Sequence, residues 1–217
     1  MSYFYGDEHR KLQDQFETRE LADRLEAFAQ PVMDDMAKAF ITSRDFFFLA
    51  TVDHQGRPTV SYKGGAPGFI RIVDDSTLAF PSLDGNGMYL SMGNIATHAE
   101  IGMLLIDFEH PHRVRIQGTA SVSADDPLRG EFQESELVVR VKVQQCFINC
   151  PRYIHRHERV ETSRYVPQAG TKTPFAQWKR IDMFSDALAP RDQAKIAESG
   201  GLITFEDYLG LAAQGDA

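Results

Sequence analysis

Cysteine is scarce, with only Cys146 and Cys150 among 217 residues. A C-x3-C pair with no second pair is too small for a disulfide framework and wrongly spaced for a zinc ribbon, so two reduced thiols are expected. Tryptophan occurs once, at Trp178, and 23 Lys and Arg residues face 31 Asp and Glu. The resulting net charge of −8 argues against nucleic acid or an anionic membrane as the main partner. No apolar run is long enough to span a bilayer, and the N-terminal MSYFYGDEHRKLQDQ lacks the apolar core of a signal peptide. A soluble, cytoplasmic protein is expected. G-x-S-x-G, H-E-x-x-H, Walker and G-x-G-x-x-G patterns are missing, as are internal repeats and low-complexity segments.

What is present supports one domain with a real core, since apolar residues make up 42% of the chain. Residues 7–44 read as helical. Phe16, Leu21, Leu25 and Phe28 fall near one face, and Pro31 suits the first turn of a second helix carrying Val32, Met33, Met36, Phe40 and Ile41. The period then changes. Phe46–Val52 is aromatic and β-branched, and Asp53-His54-Gln55-Gly56 makes a hairpin turn into Pro58–Lys63. Phe69–Val73, Thr77–Pro81, Ile101–Ile106, Arg113–Ser123 with a bulge at Gly118, and Leu137–Cys146 follow as strands. Short strands joined by hairpins predict a small antiparallel barrel within a mainly β, α+β fold. One helix, behind the glycine loop Asp84-Gly85-Asn86-Gly87, interrupts it between the fourth and fifth strands. From about Arg152 the character changes to a charged tail ending in an amphipathic piece at Phe205–Ala212.

Few residues stand out as candidates for chemistry. A helix start just behind a glycine loop offers unpaired N–H groups to phosphate, or is simply a turn. Lys63 shares a strand face with Ser61, while Tyr62 points the other way. The lysine is either an anion contact or a solvated strand end. Asn86 is a ligand contact or a turn residue. Arg113, Arg115 and Gln117 share a face, which suits a phosphate or carboxylate clamp and equally the polar outside of a barrel. His110-Pro-His112 and His155-Arg-His157 have no third ligand at a set distance, so no metal site is expected. Cys150 reads as a packing thiol, with redox chemistry as the alternative. Trp178 caps an aromatic cofactor or anchors the tail.

Taken together, RDFFFLATVD (44–53), GRPTVSYKGGAPGF (56–69), TLAFPSLDGNGMYLSMGNI (77–95), IGMLLIDFE (101–109) and RVRIQGTA (113–120) resemble the pyridoxamine 5'-phosphate oxidase-like family of FMN-binding split barrels. FINCPRYI (147–154) and WKRID (178–182) are similar to a subgroup of FMN-dependent members without an assigned substrate. The resemblance implies a Greek-key-like split barrel, homodimeric, with FMN at the subunit interface and a small-molecule substrate or electron donor. It puts Ser61, Tyr62, Lys63, Gly64, Gly85, Asn86, Gly87 and Met88 at the flavin phosphate. Phe80, Pro81 and Ser82 would lie along the ring system, with Arg113, Arg115 and Gln117 contributed across the interface and Trp178 as a further contact.

The chain departs from the oxidase proper, whose phosphate loop carries an Arg-Lys pair where Gly87 and Met88 stand here. The oxidase's terminal Arg and His pair is also absent from this tail. An FMN-dependent oxidoreductase with a substrate other than vitamin B6 is therefore expected, the alternative being a flavin-binding redox sensor or carrier without turnover. The implied organisation is a helical segment 1–44, a barrel core 45–151, and an extension 152–217 packing on the barrel or on a partner subunit.

Overall fold

A computed structural model describes residues 4–217. It divides into two compact units, the first ending at Glu161 and the second running Thr162–Ala217.

The first unit begins with α1 (Asp7–Gln15), α2 (Arg19–Glu26) and α3 (Asp35–Ser43). The third helix starts four residues later than Pro31 predicts. Asp34 supplies the reason: its carboxylate accepts the Ala37 N–H at 2.7 Å, a side-chain cap that fixes the helix start. Pro31 instead follows an isolated bridge between Gln30 and Cys146. Met33, Ala37 and Ile41, at i, i+4 spacing, bury one face of this segment in the core.

Seven strands follow: β1 (Phe46–Val52), β2 (Pro58–Gly64), β3 (Arg71–Asp74), β4 (Thr77–Leu83), β5 (Glu100–Asp107), β6 (His112–Ser123) and β7 (Ser135–Ile148). They form one sheet in the order β2-β1-β5-β6-β7-β4-β3, with every named pairing antiparallel. β2 and β3 are the two edges, so the barrel is split rather than closed. Inside the series lie the α-helix α4 (Leu90–Thr97), between β4 and β5, and a short 3-10 turn, Pro127–Glu131, between β6 and β7. This is the α+β split-barrel architecture that the hairpin pattern predicts.

Alternation decides the faces. In β1, Phe47, Leu49 and Thr51 are buried while Phe46, Phe48 and Ala50 are half-buried on the opposite side. The inner face meets Ile70, Leu78, Phe80, Leu105, Val114, Ile116 and Val141 in one continuous core. Phe47 and Phe80 pack edge to face with ring centroids 4.9 Å apart.

Two local features fix the register. The β1–β2 turn closes on Asp53, whose carboxylate accepts from the N–H groups of Gln55 (2.8 Å) and Arg57 (2.9 Å). Gly56 takes the left-handed conformation there, with φ +79°. In β6 the register slips between Gln117 and Gly118, and a Cβ at Gly118 would lie 2.2 Å from the Lys142 carbonyl oxygen. Only glycine lets the two backbones come this close.

The second unit holds two short 3-10 turns (Gln177–Arg180 and Asp182–Ala187), α5 (Pro190–Ile196) and α6 (Phe205–Gln214). The last starts at a capping box of Thr204 and Asp207. A bridge between Ile181 and Ile203 and a buried ion pair, Lys179 Nζ to Asp192 Oδ2 at 2.8 Å, hold it together. Among the described residues no helix is long and apolar enough to cross a membrane.

Candidate functional site

Thr59, Ser61 and Lys63, at alternate positions, share the inner face of β2, and that face meets α4. Two of them are bonded to it. Asn94 Nδ2 donates to Thr59 Oγ1 at 3.2 Å and to Thr51 Oγ1 at 3.0 Å, and the two threonine hydroxyls lie 2.7 Å apart. Ser61 Oγ and Ser91 Oγ are 3.0 Å apart. Ser91 and Asn94 are three apart on one helix face, and Thr59 and Ser61 two apart on one strand face, so the contacts form rungs of a ladder. The rungs run from the middle of α4 toward its N-terminus.

Lys63 is the next position along the strand. It is half-buried, and among the described residues its ammonium makes no hydrogen bond or ion pair. Burial lowers its pKa from the ordinary 10.5. A buried ammonium without a counter-charge is unfavourable in the free protein, and an anion placed beside it reverses that.

The glycine loop lies at the matching end of α4. Gly87 (φ +75°) and Tyr89 (φ +47°) both adopt left-handed conformations, and Asn86 Oδ1 accepts the Met88 N–H at 3.1 Å. The Asn86 side chain thus closes an Asx turn. Tyr89 is held from outside, its hydroxyl donating to Glu136 Oε2 on β7 at 2.5 Å. No side chain caps α4, so its first turn presents bare N–H groups. Gly85, Asn86, Gly87 and Met88 are all exposed.

The opposite, outer face carries the other candidate set. Pairing aligns Tyr62, Phe48, Leu104 and Arg115 in one row, and Val60, Ala50, Gly102 and Gln117 in the next. All of these but Tyr62 line a groove of about 470 Å³, with Arg113 and Asn149 also on its wall. Arg113 Nε is buried with no partner among the described residues, and Arg115 lies 5.7 Å over the Phe147 ring. Among the described residues neither guanidinium faces a carboxylate within ion-pair distance, in a chain with net charge −8. Tyr62 stacks on Phe46 at 5.4 Å and is 61% exposed, as is much of Val60.

Several expected positions therefore separate. Tyr62 and Lys63 offer their side chains to opposite faces of the sheet, and Arg113, Arg115 and Gln117 do not meet Lys63 within this chain. Gly64 accommodates the Tyr62 ring, since a Cβ there would lie 2.8 Å from it. The Phe80 side chain, expected along a flavin ring, is fully buried against Phe47 and has no surface to offer. Pro81 is also buried, and Ser82 is half-buried opposite Leu137. Trp178 belongs to the second unit, where the Lys179 ammonium lies 5.8 Å from its ring.

The partners that hold α4 to β2, namely Thr51, Thr59, Ser91 and Asn94, are not legible from any motif. Their signal is a coincidence of two periods, alternate polar residues on a strand and a polar pair three apart on a helix. Cys146 is buried, which pushes its thiol up to about 11, and Cys150 is exposed. Among the described residues no three His, Cys, Asp or Glu side chains gather as a metal site.

Residues 33–153, more than half of the chain, match the sequence profile described as pyridoxamine 5'-phosphate oxidase. Curated protein sequences give no significant match. Among solved structures, HupZ of Group A Streptococcus is 19% identical with a TM-score of 0.44, covering 58% of this chain and 98% of its own. The haem storage protein HutZ from Vibrio cholerae is 19% identical with a TM-score of 0.40, covering 54% and 94%. General Stress Protein 26 from Bacillus anthracis is 13% identical with a TM-score of 0.40, covering 51% and 88%.

Proposed function

Because the chain belongs to the pyridoxamine 5'-phosphate oxidase family, we propose that it binds FMN and acts as an FMN-dependent oxidoreductase on a small molecule other than a vitamin B6 phosphate. The observation that carries this reading is Lys63, an unpaired, half-buried ammonium one rung beyond the Ser61–Ser91 contact. On this reading Lys63, the glycine loop and the uncapped first turn of α4 hold the phosphate together. An ammonium, a hydroxyl pair and bare N–H groups together suit a phosphate monoester.

The donor set fits FMN better than a dinucleotide. One strand end and one helix start make a single phosphate site, and no G-x-G-x-x-G turn accompanies them. When bound, FMN supplies hydride chemistry, so the chain's own task is to grip the phosphate, orient the ring system and exclude water. No side chain is required as a catalytic base.

The protein acts as a homodimer in the cytoplasm. Lys63 and the Arg113–Gln117 row lie on opposite faces, so a flavin touching both needs two chains. The outer face is suited to self-association: Phe46, Phe48, Val60 and Tyr62 leave apolar surface beside two unpaired guanidiniums.

Absorption of the purified protein, after incubation with FMN and removal of excess, tests the reading. Bound flavin is expected, bleached by NADH or NADPH and restored by an acceptor. Bound flavin that no reductant bleaches would favour a carrier or sensor. A Soret band in place of flavin absorbance would turn the assignment toward haem, the ligand named for HutZ.

A further inference from the structure

We propose that Asn94 is a positioning residue, which sets the first turn of α4 against β2 and thereby the spacing between Lys63 and the glycine loop. The inference rests on the phosphate reading above. Asparagine is a poor helix former, and position 94 is 6% exposed, between Gly93 and the buried Ile95. An apolar residue would serve packing and helicity better there. What asparagine adds is direction. Both amide hydrogens are engaged, one by Thr51 and one by Thr59. The threonine hydroxyls are in turn bonded to each other, and Thr59 Oγ1 reaches the Thr51 carbonyl at 3.4 Å. A polar trio satisfied in this way admits one arrangement, whereas apolar surfaces can slide.

Geometry makes the Asn94 rung the controlling one. Two residues of strand advance about 6.6 Å, while three residues of helix advance about 4.5 Å, so β2 and α4 cannot stay in register along their length. Two rungs fix the angle between them. Remove the inner rung and, among the described residues, Ser61–Ser91 remains as the one hydrogen bond between β2 and α4. Tyr89–Glu136 on β7 and the buried Met92 and Ile95 hold the helix from its other sides, so that the helix start shifts relative to β2 alone. The displaced part is the first turn of α4, which the phosphate reading sets beside Lys63. A ring system held away from that turn would be untouched by the movement.

FMN and riboflavin differ only in the phosphate, so their affinity ratio reads this spacing directly. The wild-type chain is expected to prefer FMN. In Asn94→Leu that preference falls about tenfold, while riboflavin affinity stays within about twofold. Thr59→Val, which keeps shape and removes one acceptor, lowers the preference in the same direction and serves if Asn94→Leu does not fold. The all-apolar triple variant Thr51→Val, Thr59→Val, Asn94→Leu recovers thermal stability relative to Asn94→Leu but not the preference. An unchanged ratio in folded Asn94→Leu or Thr59→Val overturns the inference, as does a triple variant that regains the preference along with its stability. A wild-type chain that binds FMN no better than riboflavin sinks the phosphate reading itself, and this inference with it.

Discussion

Ser61 on β2 and Ser91 on α4 meet hydroxyl to hydroxyl at 3.0 Å, joining segments 30 residues apart. That contact converts two separate sequence features, a strand ending in lysine and a helix opened by glycines, into one corner of the molecule.

Lys63→Ala is expected to weaken FMN binding by about 1–3 kcal/mol, the range for a charge-assisted contact to an anion. Thermal stability should hold, because the ammonium has no partner in the free chain to lose. Flavin titration and a melting curve on the same preparation check both halves. Unchanged affinity would reduce Lys63 to a solvated strand end.

FMN binding should also weaken toward alkaline pH. Burial lowers the Lys63 pKa below 10.5, so the folded free chain carries an unfavourable charge at neutral pH that is relieved as pH rises through the lowered value. A bound phosphate favours the protonated form and raises that pKa again. Binding therefore takes up a proton once the pH passes the free chain's value, and affinity declines from there. Lys63→Met removes the dependence. Identical alkaline profiles for wild type and variant would assign the titration elsewhere.

The acid limb of stability should report Asp53. Backbone N–H groups of Arg57 and Gln55 and the Arg57 guanidinium hold its pKa at about 2 against an ordinary 3.8. The folded value lies below the unfolded one, so this contribution is present above 3.8 and is lost as pH falls through about 2. In urea midpoints measured across that window, Asp53→Asn should show the shallower fall. Coincident slopes would mean the turn carboxylate is not depressed.

Gly118→Ala tests the bulge. The new methyl would meet the Lys142 carbonyl oxygen at 2.2 Å, a backbone atom that cannot rotate away. A loss of about 1–3 kcal/mol in denaturant unfolding is expected, typical of overpacking. Wild-type stability would show that β6 and β7 separate there at little cost.

Much of this was readable beforehand, for reasons that differ by element. Alternation in Phe46–Val52 and Pro58–Lys63 gives both the strands and the opposed directions of Tyr62 and Lys63, because a period of two is a local property. Gly118 is readable as a bulge for the same reason. The start of α3 was not, since Pro31 is a permissive signal and the Asp34 cap outcompetes it. The burial of the Phe80 side chain was not readable, because a strand residue's face depends on which strand lies across the barrel, here β1 with Phe47. Thr51 and Asn94 were invisible singly: each is one polar residue in an apolar run, and only their meeting at 3.0 Å gives them meaning.

The last expectation concerns two chains. Lys63 lies on the inner face at the β2 edge, while Arg113 and Arg115 lie on the outer face of β6, with β1 and β5 between. A single flavin reaching both sets must therefore sit where one protomer's edge meets its partner's face. Two variants that each fail to bind FMN, Lys63→Ala with Asn86→Ala in one and Arg113→Ala with Arg115→Ala in the other, then complement. After subunit exchange half of the dimers are mixed, and each mixed dimer has one site with all four wild-type side chains and one with none. Flavin binding should recover to about one quarter of wild-type stoichiometry, as mass action among equal subunits dictates. Light scattering of the same mixture should give a dimer. A monomer that retains full FMN, or an exchanged mixture with no recovery, would place both sets of residues at separate tasks.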